Sequence, residues 1–411
     1  MHDVRTWIEI DKKALHHNVE QFFRLIPKTT RFMAVIKSNA YGHGLVQIAK
    51  LLSTLNPKPY TLNPRLLWFG VDSITEALRL RKEGIKNPIL ILGYILPSRL
   101  KEAAADNIAL TVSSFDTLKA IIHLKVRPVM HIKIDTGMHR QGFLPGQIPE
   151  AIGLLKRHNL KPEGIFTHFA SAKDPAYPTY TLMQSERFKK VTGEFQKAGF
   201  PSLIRHSAAS GAALLFPDTH LDMVRVGMGM YGYWPSQESK IHFGKSKIPL
   251  NPPLEKGETP PFFKGRRGGI FSFGRRGVEL KPVLTWKTII SEIKEIPTGS
   301  FVGYDLTERV HRKTKIAVLP IGYWHGYDRG FSSCGDVLIR GRRAKVLGRV
   351  SMDMTVVDVT DVARAKTGDE IVLIGSSGKH CIDADELATK IGTSPYEMLT
   401  RINPLIKRII P

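Results

Sequence analysis

Two rhythms of apolar and polar positions run along this chain, and they change over near residues 236–281. In the first part, short apolar runs recur at Phe32–Ile36, Leu67–Val71, Ile89–Leu92, Ile108–Val112, Val129–Ile134, Gly164–Phe166, Leu203–Ile204 and Met223–Val224. Each has strand length, and stretches with helical spacing, such as Ile74–Lys82, Pro149–Arg157 and Met183–Lys197, lie between most of them. Ahead of these, Thr6–Ile10 alternates like a strand. Asp11 is placed to cap a helix that carries Leu15, Val19, Phe22 and Phe23 on one side and is stopped by Pro27. Eight strands alternating with helices over about two hundred residues predict a (β/α)8 barrel, assigned to residues 1–235.

From Val283 the apolar periods shorten, at Leu284–Ile290, Ile316–Leu319, Asp336–Ile339, Ala344–Val346, Thr355–Val359 and Glu370–Ile374, with turn pairs such as Thr298-Gly299 and Gly368-Asp369 between them. This predicts a mostly-β domain over 282–411, interrupted by one helix near Ala384–Ile391 that Asp383 or Asp385 caps. The fold class is therefore α/β plus β. Between the domains, Pro252-Pro253-Leu254-Glu255-Lys256-Gly257 is echoed by Pro260-Pro261-Phe262-Phe263-Lys264-Gly265, and Gly265-Arg266-Arg267-Gly268 by Gly274-Arg275-Arg276-Gly277. Repeats so dense in Pro, Gly and charge cannot bury a core, so 236–281 reads as a flexible insertion, and Leu55–Leu66 as a smaller one. Both are expected to be dispensable for activity.

A barrel places its active site at the carboxyl ends of its strands. Unusual polar residues fall there: Lys37 after the first strand, Lys133 to Arg140 after the fifth, Thr167-His168 after the sixth, His206 to Gly211 after the seventh, and Arg225 to Gly232 after the eighth. Taken alone, a strand-end lysine most often sits in water. At the rim of an apolar strand it can instead be partly desolvated, which disfavours the ammonium and leaves a nucleophilic amine. That is what a Schiff base with pyridoxal phosphate needs, and Gly42 and Gly44 let the backbone come close to a bulky ring. Loops after strands seven and eight often hold a phosphate, a role open to Ser207, Gly227 and Met228.

The stretch from Ala34 to Gly44, AVIKSNAYGHG, closely resembles the cofactor-lysine motif of bacterial alanine racemases, and the resemblance continues to the C-terminus outside the two insertions. It implies pyridoxal 5'-phosphate as cofactor, alanine as substrate, and D-alanine for peptidoglycan as product. Lys37 would bind the aldehyde and act as base for the D-enantiomer, with Tyr41 and His168 beside the cofactor. Arg140, in the pattern DTGMxRxG, would touch the phenolic oxygen and the substrate carboxylate, oriented by Lys133, which the family often carries carbamylated. Arg225, in the pattern RxG, would meet the pyridine nitrogen. An arginine does not readily give up its proton, so the ring would be a weaker electron sink with fewer side reactions.

Racemisation needs a second base on the opposite face, and Phe301-Val302-Gly303-Tyr304-Asp305 resembles the family's catalytic-tyrosine motif. Tyr304 would need cationic support, such as Arg225 acting through His168. The family usually has glycine where this chain has Asp305, and a carboxylate close to Tyr304 would raise its pKa. Further matches imply that Tyr323 lines the substrate entrance, that the Met352 backbone, next to Asp353, contacts the substrate carboxylate, and that Tyr396 contacts the phosphate. In the family the Tyr304-type and Met352-type residues reach the other subunit's cofactor, which implies a head-to-tail homodimer.

Composition changes this picture little. The formal charge of +23 on 411 residues permits nucleic-acid binding. The Lys and Arg residues are nevertheless scattered outside the insertion, so a partner nucleic acid is not expected, while anionic small ligands are favoured. Cys334 and Cys381, the two cysteines, have no metal-ligand spacing. No signal peptide is visible, and the longest apolar run, Pro88–Pro97, is too short to span a bilayer. A cytoplasmic enzyme without metal or membrane is expected. A broad-specificity racemase on the same scaffold, a cofactor-carrying barrel without turnover, and an RNA-binding protein are the alternatives. The first would be told by activity on lysine or serine, the last by salt-dependent nucleic-acid binding.

Overall fold

The computed structural model describes residues 4–54, 67–174, 176–243 and 277–411. Strand β1 is Thr6–Ile10, and eight parallel strands follow: β2 (Arg31–Val35), β3 (Leu67–Val71), β4 (Ile89–Ile91), β5 (Ala109–Val112), β6 (Met130–Lys133), β7 (Gly164–Phe166), β8 (Ile204–His206) and β9 (Met223–Val226). They pair in the order β8-β7-β6-β5-β4-β3-β2-β9. Backbone bonds from Arg225 to the Ala208 carbonyl (2.9 Å) and from Asp222 to the Arg205 carbonyl (3.0 Å) bring β9 back to β8 and nearly close the ring. The last two strands run beyond their expected ends because His206 and Arg225 are buried although polar. Apolarity marked only part of each.

Alternate residues of these strands face opposite ways, as the pleat requires. Phe32, Ala34, Phe69 and Leu110 join the large core beneath the helices. Met33, Trp68, Leu90, Ala109, Ile204 and Met223 form a separate cluster filling the barrel.

The second unit is a mostly-β domain whose main sheet has ten strands among the described residues. Its entry strand is β10 (Leu284–Ile289). Strand β1, placed with the barrel on sequence grounds, lies in this sheet instead, antiparallel to β10 and parallel to Lys407–Ile409. Its alternation fits a partner sheet, and nothing local to it says which. Asp11 then caps the helix Lys12–Leu25 by accepting from Ala14 N.

Only the ends of the expected insertion are described. Gln237–Phe243 is helical, and Val278 and Leu280 are buried, so those ends belong to the packed structure. Residues 244–276 and Leu55–Leu66 lie outside the described residues.

Candidate active site

Lys37 leaves the barrel at the end of β2 through an unusual turn. Ser38, Asn39, Ala40 and Tyr41 all have φ between +51° and +55°, a left-handed turn of four non-glycine residues. Each such residue costs about 1–2 kcal/mol, so the neighbours must hold them. Glu76 does so from the helix Ile74–Lys82: one carboxylate oxygen accepts from Asn39 N (3.1 Å), the other from Asp72 N (2.9 Å). The Asn39 amide oxygen caps the next helix at Leu45 N (2.9 Å). Arg408, from the far end of the chain, donates twice to the Gly42 carbonyl. His43 is fully buried against Tyr231, with ring centroids 4.2 Å apart, and burial pulls its pKa down to about 4.

Half-buried Lys37 lines a cavity of about 510 Å³ that also takes in Lys133, Arg140, His168, Arg225 and Tyr396. The strand ends thus bring together the cationic groups that the sequence separated by up to 188 positions. Arg225 lies beneath them. Its Nη1 donates to His206 Nδ1 (2.9 Å), and Nη2 shares its hydrogens among the Thr167 carbonyl (2.7 Å), the Ser207 carbonyl (3.0 Å) and His168 Nδ1 (3.2 Å). Burial lowers the Arg225 pKa to about 9, which still leaves the guanidinium charged at neutral pH. His168 is held down to about 3, first by burial and then by Arg225 and Arg140, so its ring is neutral.

Lys133 donates to Gln141 Oε1 (2.9 Å), and burial, then the charges of Arg140 and Arg225, bring its pKa to about 8. Asp135 organises the turn leading to Arg140, accepting from Gly137 N, His139 N and Arg140 N. Burial pushes its carboxyl up, but these N–H donors win and hold it below the usual range. Sequence reading missed the brace behind these loops. On the helix Thr179–Lys197, Tyr180 donates to the Gly137 carbonyl (2.6 Å), Arg187 to the Thr136 carbonyl (3.0 Å), and Gln184 bonds both Ala170 N and the Thr136 hydroxyl. Their spacing of four and three on one helix face was the available signal.

The loops after β8 and β9 require one correction. The Ser207 hydroxyl is buried and spent on the Thr219 carbonyl (2.9 Å), and Ser207 does not line the cavity. Three residues on, Ser210 lines the cavity and accepts from Gly227 N (3.0 Å) and Gly229 N (3.4 Å). Gly227 and Met228 also line it, and a Cβ on Gly227 would stand 2.9 Å from the Tyr41 hydroxyl. Tyr41 in turn meets Tyr396 edge-on at 6.3 Å. This wall has the bare backbone and hydroxyls that suit a phosphate.

Tyr304, Tyr323 and Met352 do not line the Lys37 cavity. They stand exposed on the second unit, with Tyr304 68 % accessible. Their loops are adjacent: Tyr323 N donates to the Ser351 carbonyl and Trp324 N to the Met352 carbonyl. Asp353 stands 4.0 Å from the buried His325. Asp305 has φ +64°, which accounts for a position that glycine suits. Its carboxylate faces Arg349 (3.3 Å) and Arg329 (3.9 Å), which tie the Tyr304 turn to the loop before Met352.

An amine and two guanidiniums converging at the mouth of a barrel make a site for small anionic ligands. Comparison with known proteins narrows this. Residues 10–235 match the model of the alanine racemase N-terminal domain and 283–410 that of the alanine racemase C-terminal domain. An alanine racemase of Leptospira interrogans serovar Lai is 35% identical over 407 residues, covering 98% of this chain and 95% of that protein. One of Desulforamulus reducens is 34% identical over 409 residues, covering 98% of each. Among solved structures, an alanine racemase of Clostridium difficile 630 superposes with a TM-score of 0.84 at 30% identity, covering 100% of this chain and 97% of that one. That of Bacillus anthracis with bound L-Ala-P gives 0.84 at 29% identity, covering 100% and 96%. The chain belongs to the alanine racemase family, and its reaction is the interconversion of L- and D-alanine.

Proposed function

We propose that the Lys37 cavity holds pyridoxal 5'-phosphate, and that each site is completed by Tyr304 from a second copy of the chain in a head-to-tail homodimer. The donor set fits the cofactor. Lys37 offers the amine for its aldehyde, Arg225 a fixed donor for its ring nitrogen, and Ser210, Gly227, Met228 and Tyr396 a wall for its phosphate. When bound, the ring supplies an electron sink that acidifies the Cα–H of an attached amino acid.

The side chains do the rest. Lys37 Nζ removes or returns the Cα proton on one face, and the Tyr304 hydroxyl does so on the other, which inverts the centre. Arg140 holds the substrate carboxylate, and Lys133 orients Arg140. Lys133 has the lowered pKa that carbamylation of a lysine amine favours. Arg225 is anchored to two carbonyls and two imidazoles, so it donates without losing its proton. Met352 and Tyr323 narrow the entrance from the second copy. No described helix is long and apolar enough to cross a membrane, which suits a cytoplasmic enzyme.

One observation carries the dimer. Lys37, Arg140 and Arg225 share a cavity, whereas Tyr304 of the same chain stands exposed and does not line it. The test is Cα–H exchange in D₂O with each enantiomer. Tyr304→Phe is expected to lose exchange of L-alanine by about 10²–10⁴-fold while keeping that of D-alanine. Equal loss with both enantiomers, or none, would refute a Tyr304 base.

A further inference from the structure

Two imidazole rings stand inside the barrel, beside the apolar cluster that fills most of it. His131 on β6 and His206 on β8 are both fully buried, and with Arg225 and Glu163 they make a continuous hydrogen-bonded chain. Arg225 Nη1 meets His206 Nδ1 at 2.9 Å, His206 Nε2 meets His131 Nδ1 at 2.9 Å, and His131 Nε2 meets Glu163 Oε2 at 3.3 Å. Arg225 faces the cavity at the carboxyl ends of the strands. Glu163 immediately precedes β7, at the opposite end of the barrel, with its side chain 43% accessible. The chain crosses the barrel from the site to the surface.

Its direction is dictated from one end. A guanidinium only donates, so His206 Nδ1 must accept and its proton must sit on Nε2. That proton points at His131 Nδ1, which must also accept, and the His131 proton therefore sits on Nε2, facing the carboxylate. Both rings are neutral. Burial, reinforced at His206 by Arg225, keeps their pKa values below the usual histidine range.

The rings are also fixed in place. Phe166 stacks on His206 with centroids 4.7 Å apart and planes 7° from parallel, and Trp68 meets His131 edge-on at 5.4 Å. Gly164 lies opposite His131 in the sheet, where a Cβ would fall 2.4 Å from Nδ1. The absent side chain makes the space the ring occupies.

Among the described residues, Arg225 hydrogen-bonds two carbonyls and two imidazoles and no carboxylate. The anion at the end of its chain is Glu163. We propose that Glu163 is a positioning residue for the racemisation site: as terminal acceptor of a chain whose direction Arg225 sets, it anchors His131 and His206 and, through them, the guanidinium. This rests on the place of Arg225 at the cofactor ring.

The test is side-chain ¹⁵N NMR of the holoenzyme's histidines, paired with racemisation kinetics, for wild type, Glu163→Gln and Glu163→Lys. In wild type, His131 and His206 are expected each to show one protonated Nε2 and one bare Nδ1, without titration between about pH 6 and 9. Glu163→Lys, a change at the surface, removes the acceptor. The His206 nitrogens should then shift as the anchored end of the chain is lost, and kcat should fall about tenfold, the low end of what losing an outer-shell hydrogen-bond partner costs at metal-ligating histidines. The KM for alanine should change less. Glu163→Gln still offers an oxygen and should restore both readouts.

Unmoved His206 signals or unchanged kcat in Glu163→Lys would overturn the proposal, as would failure of Glu163→Gln to restore them. Arg225→Lys, read by the cofactor's absorption spectrum, tests the ring assignment separately.

Discussion

Gly42 has φ +86°, and a Cβ there would lie 2.1 Å from the Leu399 carbonyl oxygen. Gly42→Ala should cost about 2–4 kcal/mol in urea unfolding, since both the conformation and the space exclude it. A cost under about 0.5 kcal/mol would show that the helix Pro395–Thr400 does not seat on this turn. The two serines after β8 separate in the same way. Ser210→Ala strands two backbone N–H groups in the cavity wall and should weaken cofactor binding in a fluorescence titration. Ser207→Ala, whose hydroxyl serves Thr219, should cost about 1 kcal/mol of stability and leave cofactor affinity unchanged. The reverse order would return the phosphate to Ser207. Sequence could place a serine in this loop but not say which hydroxyl faces inward, because that depends on how the chain turns after His206.

At the scale of elements, strands were legible because β2 to β5 and β7 are largely apolar on both faces, as parallel strands covered by helices must be. The left-handed turn after Lys37 was not. Two glycines marked a turn, but Ser38, Ala40 and Tyr41 have no preference for that conformation, and contacts from Glu76 and Arg408 impose it. Glu76→Ala should therefore cost about 2–3 kcal/mol and lower kcat, because Lys37 starts the turn that the carboxylate holds. Unfolding and initial rates on the same preparation check this, and normal kcat would mean that Lys37 is positioned by β2 alone. The helix Thr179–Lys197 was likewise legible as a helix, while the reach of Gln184 into the loops was not. Nothing in its own sequence names the carbonyls it meets.

Across the whole molecule, the described histidines whose pKa values lie below the usual range because burial disfavours the cation include the fully buried His43, His131 and His206 and the half-buried His168. Such groups stay neutral in the fold and take up a proton on unfolding. Their effect on stability is absent above the unfolded value near about 6.5, and stability falls as pH drops below it, by up to roughly 5 kcal/mol per pH unit when all four titrate. Urea midpoints should be flat above pH 7 and fall steeply towards pH 5, and a flat profile would mean that these rings are hydrated. The two units are joined by more than the linker, since β1 and Arg408 cross between them. The sequence placed β1 wrongly because a strand's alternation does not identify its sheet.

Whether the site is shared between two copies is decided most directly by mixing two inactive variants. Lys37→Ala and Tyr304→Phe subunits, co-expressed, form hybrid dimers in which one site has lost both residues and the other has kept both. Each variant alone should be nearly inactive for L-alanine, and the statistical mixture should recover about a quarter of wild-type racemisation. A mixture as inactive as its parents would place Tyr304 and Lys37 in the same subunit's site and contradict the shared arrangement.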